Sequence, residues 1–196
     1  MTRHILVFYG SYRRDRQGIK LARWLVDAIA ARGDSAELID AKAVDLPMLD
    51  RRFSDYPPGE APPTMAELAA KIAGADGYVF VAGEYNGGLQ PGLKNLVDHY
   101  LVEYAWRPAA IASYSAGPFA AVRSATAWRT TLGAMGMVVT STALSLARIG
   151  GAFDADGVPT GEDGSRIEKG FPRFANDLNW WIDAAKAQRA RTGTPF

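Results

Sequence analysis

The 196 residues contain no cysteine and only two histidines. The first absence excludes disulfide frameworks, thiolate metal sites and thiol redox chemistry. The second leaves neither a histidine-based catalytic triad nor a multi-histidine metal centre, so His4 and His99 read as surface or packed side chains. Any redox work must therefore come from a bound cofactor. No apolar run approaches the ~20 residues of a membrane span, and residues 1–4 lead directly into a strand rather than into a signal-peptide core. An excess of one charge is missing too: 22 Lys and Arg stand against 21 Asp and Glu, a net +1. That balance gives no general attraction to nucleic acid or to an anionic membrane, and any anion site has to be a local basic cluster. The expectation is a soluble cytoplasmic protein that binds neither.

What is present is an ordinary globular composition, 48% apolar with 20 glycines. The length suits a single domain over residues 1–196, long enough to bury roughly 70% of its unfolded surface. His4 to Tyr9 is a continuous apolar run of β-formers, as in a strand covered on both faces. Ile19, Ala22, Leu25, Val26 and Ile29 follow at helical spacing, and Gly33 stops that helix. Ser35 to Ile39 is a second strand, followed by an irregular, proline-rich stretch from Asp45 to Pro63 of the kind that serves a site or an interface. The rhythm then repeats. A helix over 64–73, a strand over Gly77 to Gly83 and a helix from Pro91 to about Glu103 lead to a strand over 109–114. A helix over 120–135, a fifth strand over 137–143 and a last helix over 165–191 complete the chain. These alternations predict an α/β fold, a doubly wound five-stranded parallel sheet with helices on both faces.

In such a sheet ligands bind beyond the carboxyl ends of the strands. Three loops lie there. The first, "GSYRRDRQG", lacks both the G-x-G-x-x-G of a dinucleotide binder and the P-loop pattern. It offers the Ser11 hydroxyl, the Arg13 and Arg16 guanidinium groups, the Gln17 amide and the free N–H groups of a helix starting at Gly18, which suit a phosphate monoester. A solvated basic turn is the plain alternative. The second, "GEYNGGLQPGLKN", contains Asn86-Gly87, a hairpin signal, but Pro91 and the apolar spacing behind it predict a helix and not a returning strand. Gly83, Gly87 and Gly88 let backbone approach a flat ligand, and Tyr85 can cover its ring. Glu84 taken alone reads as a surface or interface charge. The third, "SYSAGPFA", adds hydroxyls at Ser113 and Ser115 and a tight approach at Gly117, or is a generic glycine-serine turn. Together the loops suit phosphate at one end and a planar heterocycle at the other.

Two of these stretches resemble the NADPH-dependent FMN reductases of flavodoxin-like fold, a family that includes azo, quinone and chromate reductases. "GSYRRDRQG" is similar to its G-S-x-R phosphate loop, and "EYNGGLQPGLKNLVD" to its P-E-Y-N-G-x-x-P-x-x-L-K-N-x-x-D. The resemblance runs over almost the whole chain and implies non-covalent FMN. It places the phosphate contacts on Ser11, Arg13, Gln17 and Gly18, with Arg16 beside them, and the ring contacts on Gly83, Glu84, Tyr85, Asn86 and Gly87 and on Ser115 to Gly117. Arg16 stands where many members have serine, Gly18 where they have asparagine, Gly83 where they have proline, and Ala120-Ala121 where paired glycines are common.

The resemblance further implies hydride transfer from NADPH or NADH to the flavin and then reduction of a small-molecule acceptor such as a quinone, an azo compound or free flavin. The chemistry would be the cofactor's, so no catalytic acid, base or metal ligand is assigned. Asn86 is the side chain expected to bear on the flavin, and Arg14 or Arg123 the one to meet a 2′-phosphate. A homodimer or homotetramer is implied, paired near the helix that begins at Pro91. Two other readings stay open: an FMN-binding electron-transfer protein that takes electrons from a protein partner, and a non-catalytic nucleotide-sensing domain on the same scaffold. The neutral charge and the arginine loop favour the enzyme over the first of these.

Overall fold

The computed structural model describes residues 2–195 of the single domain expected over the full chain. Six strands form one parallel sheet: β1 (His4–Tyr9), β2 (Ser35–Asp40), β3 (Gly77–Gly83), β4 (Pro108–Tyr114), β5 (Val138–Val139) and β6 (Leu144–Leu146). Their order is β2-β1-β3-β4-β5, with β6 also paired to β4. The helices are α1 (Gly18–Ala30), the single turn α2 (Ala41–Val44), α3 (Pro63–Gly74), α4 (Pro91–Asp98), α5 (Val122–Ala134) and α6 (Gly161–Thr192).

The central strands are the most apolar ones, because both of their faces are covered. All of β3 and β4 is buried, and so is β1 beyond His4. Side chains alternate across the pleat. Leu6, Phe8 and Phe80 join α3, α4 and α5 in one core, while Val7, Tyr9, Val79 and Val81 join α1 and α6 in the other. Burial of each large apolar side chain stabilises this sandwich by about 1.5–3 kcal/mol. The edge strand β2 needs one covered face only, and Ser35 at its start is exposed.

Four elements differ from the sequence expectation, the first being α6, which begins at Gly161 rather than at residue 165. The helix predicted to about Glu103 stops at Asp98, where Phe53 of the proline-rich stretch donates its N–H to the His99 carbonyl at 2.8 Å and Glu103 Oε2 accepts from Leu101 N. The fifth strand is in two pieces. Between them Arg129 donates to the carbonyls of Thr140 and Ser141, and Asp177 accepts from the Thr142 N–H and the Ser141 hydroxyl. Side chains from α5 and α6 thus replace ladder bonds at that sheet edge. The helix predicted from Ala120 begins at Val122, since Ala120 and Ala121 adopt left-handed conformations, with φ of 50° and 58°.

Candidate functional site

The loop after β1 crosses the carboxyl edge of the sheet and divides its three arginines. Arg16 reaches back to Asp40 at the end of β2, with Nη1 at 2.8 and 2.7 Å from the two carboxylate oxygens. Its charge is therefore matched. Arg13 lies with its guanidinium 4.8 Å from the Tyr85 ring centre, and neither it nor Arg14 takes part in an ion pair among the described residues. Ser11 is buried, with its Oγ 3.3 Å from the Tyr85 hydroxyl, and accepts weakly from the Arg13 N–H. Gln17 donates its amide to the Asp15 carboxylate. Gly18 then opens α1, whose first turn carries neither an acidic residue nor a side-chain cap. Tyr12 turns the other way, packs on Gly92 and donates to the Ala41 carbonyl at 2.7 Å.

The loop after β3 begins with a two-residue turn. Tyr85 and Gly88 exchange both backbone bonds, and Asn86 and Gly87 have φ of 51° and 79°, a type I′ geometry. The hairpin signal in Asn86-Gly87 and the helix signal behind it are thus both realised, the turn within the loop and α4 after it. Glu84 is no free surface charge. It crosses to the start of α5, where its carboxylate accepts from the Arg123 N–H at 3.2 Å and from Arg123 Nη1 at 3.1 Å. Since Ala121 has no side chain with which to cap α5, Glu84 supplies that acceptor from another loop.

Beneath these loops lies a contact that sequence reasoning missed. Gly83 donates its N–H to Gln90 Oε1 at 2.9 Å, and Gln90 Nε2 donates to the Tyr114 hydroxyl at 2.8 Å. A Cβ on Gly18 would lie 2.2 Å from Tyr114 Cζ, and one on Gly83 would lie 2.5 Å from Gln90 Nε2 and 3.0 Å from Tyr114 Cζ. Two of the four departures from the family pattern are thus explained: Tyr114 requires glycine at 18, and Gln90 with Tyr114 requires it at 83. Their only signal in the sequence was a polar-tipped aromatic at the carboxyl end of a strand. Burial pushes the Tyr9 and Tyr114 hydroxyls above the ordinary tyrosine value, so both remain protonated donors.

The loop after β4 is tied to the chain behind β6. Ser115 donates its hydroxyl to the Gly117 carbonyl at 2.9 Å, its N–H to Leu146, and accepts from Ile149 at its carbonyl. Gly117 has open space where a Cβ would stand. A cleft of about 500 Å³ lies beside the first two loops, walled by Tyr12, Arg13, Tyr85 and Asn95 and by Asp45, Leu46 and Met48 of the proline-rich stretch. Of the twelve residues singled out in the sequence, Arg13 and Tyr85 line it. Ser11 joins them through the Tyr85 hydroxyl, whereas Gln17, Ser115 and Gly117 lie outside its walls.

This donor set fits the phosphate end of a mononucleotide. An unpaired guanidinium, a serine hydroxyl and an uncapped helix start with no acidic residue in its first turn face the same edge of the sheet. It fits the ring end through Tyr85, the left-handed turn at Gly87 and the open space at Gly117. Among the described residues no cluster of His, Asp or Glu could hold a metal ion, and no helix is long and apolar enough to cross a membrane.

Residues 3–150 match the family described as NADPH-dependent FMN reductase. A curated relative, an NAD(P)H-dependent FMN reductase of Schizosaccharomyces pombe, is 36% identical over 124 residues, 58% of this chain. The chain spans 58% of the length of the curated relatives it matches. Among solved structures, FerB of Paracoccus denitrificans, a flavoenzyme NAD(P)H:(acceptor) oxidoreductase, superposes with a TM-score of 0.72 at 22% identity, covering 95% of this chain and 98% of that one. A flavodoxin of Pseudomonas aeruginosa, solved as a cysteine-to-alanine mutant, superposes with a TM-score of 0.52 at 16% identity over 94% and 97%. The fold is flavodoxin-like.

Proposed function

The chain belongs to the NADPH-dependent FMN reductase family, and from that premise we propose that it is an NAD(P)H-dependent oxidoreductase that holds FMN non-covalently and reduces a small organic acceptor of the quinone or azo type, or free flavin. The observation that carries this reading is the Arg13 guanidinium, unmatched by any carboxylate among the described residues, laid on the Tyr85 ring so that the cationic loop and the ring-binding loop form one surface. When bound, the flavin supplies hydride acceptance and donation. The protein's part is to bind, orient and shield.

Arg13, Ser11 and the N–H groups at Gly18 would hold the phosphate, joined by the Gln17 amide once it leaves Asp15. Arg16, matched by Asp40, holds the shape of that loop. With the Gly83, Tyr85 and Ser115 N–H groups given to Gln90, Gly88 and Leu146, the N–H groups of Glu84, Asn86, Gly87, Ala116 and Gly117 would be the backbone donors along the edge of the ring, and Asn86 sits at the turn. Glu84 fixes the ring loop to α5. The cleft walled by Leu46 and Met48 admits a flat acceptor after the nicotinamide departs. A homodimer is supported by the exposed apolar side chains of Leu101 and Val102 just beyond α4, beside a second depression between α4 and α5. The preference for NADPH over NADH follows the family's description, with Arg14 as the spare cation for a 2′-phosphate.

Titration calorimetry of FMN against the wild type and R13A tests the site. Loss of a charge-assisted bond predicts weaker binding by about 2–3 kcal/mol. Equal affinities would show that the phosphate lies elsewhere.

A further inference from the structure

The Tyr9 hydroxyl is wholly buried at the carboxyl end of β1, facing Tyr114 and Ser11, and completes no hydrogen bond of ordinary geometry with either. Buried hydroxyls are seldom left so. Its surroundings point to a use. Gly83 N–H fixes Gln90 Oε1 as the acceptor end of that amide, so Nε2 is the end that donates to Tyr114. The Tyr114 proton is then free to turn toward Tyr9, and the Tyr9 proton toward Ser11. The order Gln90, Tyr114, Tyr9, Ser11 therefore has one direction, set by a backbone donor at its far end. Its near end is Ser11, beside the uncapped start of α1, which meets the Tyr114 ring at Gly18. The Arg16 guanidinium lies 5.7 Å from the centre of the Tyr9 ring and holds it beneath the loop.

We propose that Tyr9 is a positioning residue for phosphate recognition: its buried hydroxyl, last but one in the row from Gln90, turns the Ser11 hydroxyl into a donor toward a phosphate monoester at the N-terminus of α1. The proposal rests on the functional reading above only for the source of that phosphate. Its chemistry, a dianionic oxygen acceptor, is shared by FMN and inorganic phosphate. The Ser11 and Tyr85 hydroxyl oxygens lie 3.3 Å apart, a weak pairing in which either can donate. A charged oxygen in that position is a stronger acceptor, and the row becomes fully directed.

The test is fluorescence and calorimetric titration of wild type and Y9F with FMN, with phosphate-free riboflavin and with inorganic phosphate, alongside the melting temperature of each ligand-free protein. The expected result is a five- to tenfold weaker FMN affinity in Y9F and unchanged riboflavin affinity. Ligand-free Y9F should melt close to wild type, because the Tyr9 hydroxyl makes no hydrogen bond of ordinary geometry to Tyr114 or Ser11. Equal FMN affinity in the two proteins overturns the proposal. So does an equal loss for FMN and riboflavin with a lowered melting temperature, which marks Tyr9 as a packing residue only. If wild type binds inorganic phosphate but no flavin, and Y9F binds that phosphate more weakly, the flavin reading fails and the role of Tyr9 stands. If wild type binds none of the three, both fail.

Discussion

Glu84 caps a helix to which it does not belong. Its carboxylate spans from the end of β3 to the first turn of α5, 3.2 Å from the Arg123 N–H and 3.1 Å from the Arg123 guanidinium. Replacing it by alanine leaves that helix start unsatisfied and is expected to cost about 1–2 kcal/mol in urea denaturation. The exposed Glu162, which pairs with Arg166 one turn along α6, is the control, with an expected loss of a few tenths in E162A. Equal losses in the two variants would contradict the capping role.

Ala120 and Ala121 stand before that helix in left-handed backbone, which costs a residue with a Cβ about 1–2 kcal/mol. A121G relieves this and gives back about 0.4–1 kcal/mol through the freer unfolded chain. The net expectation is a neutral to slightly stabilising change. A127G, inside α5, should instead destabilise by about 1 kcal/mol. The pair of signs, read from denaturation midpoints, checks the backbone assignment.

Gly18 and Tyr114 form a coupled pair. G18A places a Cβ 2.2 Å from the tyrosine ring and should destabilise by at least about 2 kcal/mol through overpacking. Adding Tyr114→Leu should recover part of that loss, so the double variant is more stable than the sum of the two single changes predicts. Strict additivity would show that the two residues do not press on each other.

Much of this molecule is legible in its sequence, for reasons that are local. Phe8 and Phe80 sit in runs that only a strand covered on both faces can use, and Gly18 opens its helix where apolar spacing begins. Arg13 and Tyr85 stand at strand ends, where a parallel sheet presents its loops. The rest depends on contacts between residues far apart in the chain. The end of α4 is made by Phe53 meeting His99, the break at the sheet edge by Arg129 and Asp177, and the neutralisation of Arg16 by Asp40. None of these has a period or a motif. Glu84 shows the difference most clearly, since nothing near it names Arg123.

Asp76 links β1 to α6, accepting from the His4 N–H at 3.0 Å and from Lys186 Nζ at 2.9 Å. Burial alone would raise its carboxyl value, but the bonds from Lys186 and His4 outweigh that, and it lies below the usual 3.8. A depressed carboxylate stabilises the fold fully above its unfolded value and loses that contribution as the pH falls through the folded one. Wild type should therefore be more stable than D76N at pH 7, with the difference shrinking below about pH 4. A difference independent of pH would contradict this.

The most direct measurement is an anaerobic one. The purified protein is reconstituted with FMN, freed of unbound flavin, and titrated with NADPH while the oxidised-flavin absorbance is followed. Stoichiometric bleaching, with the colour restored by a quinone or an azo dye, is the predicted result. Bound FMN that neither NADPH nor NADH bleaches would contradict the enzyme and leave an electron-transfer protein; a protein that retains no FMN would contradict the site itself.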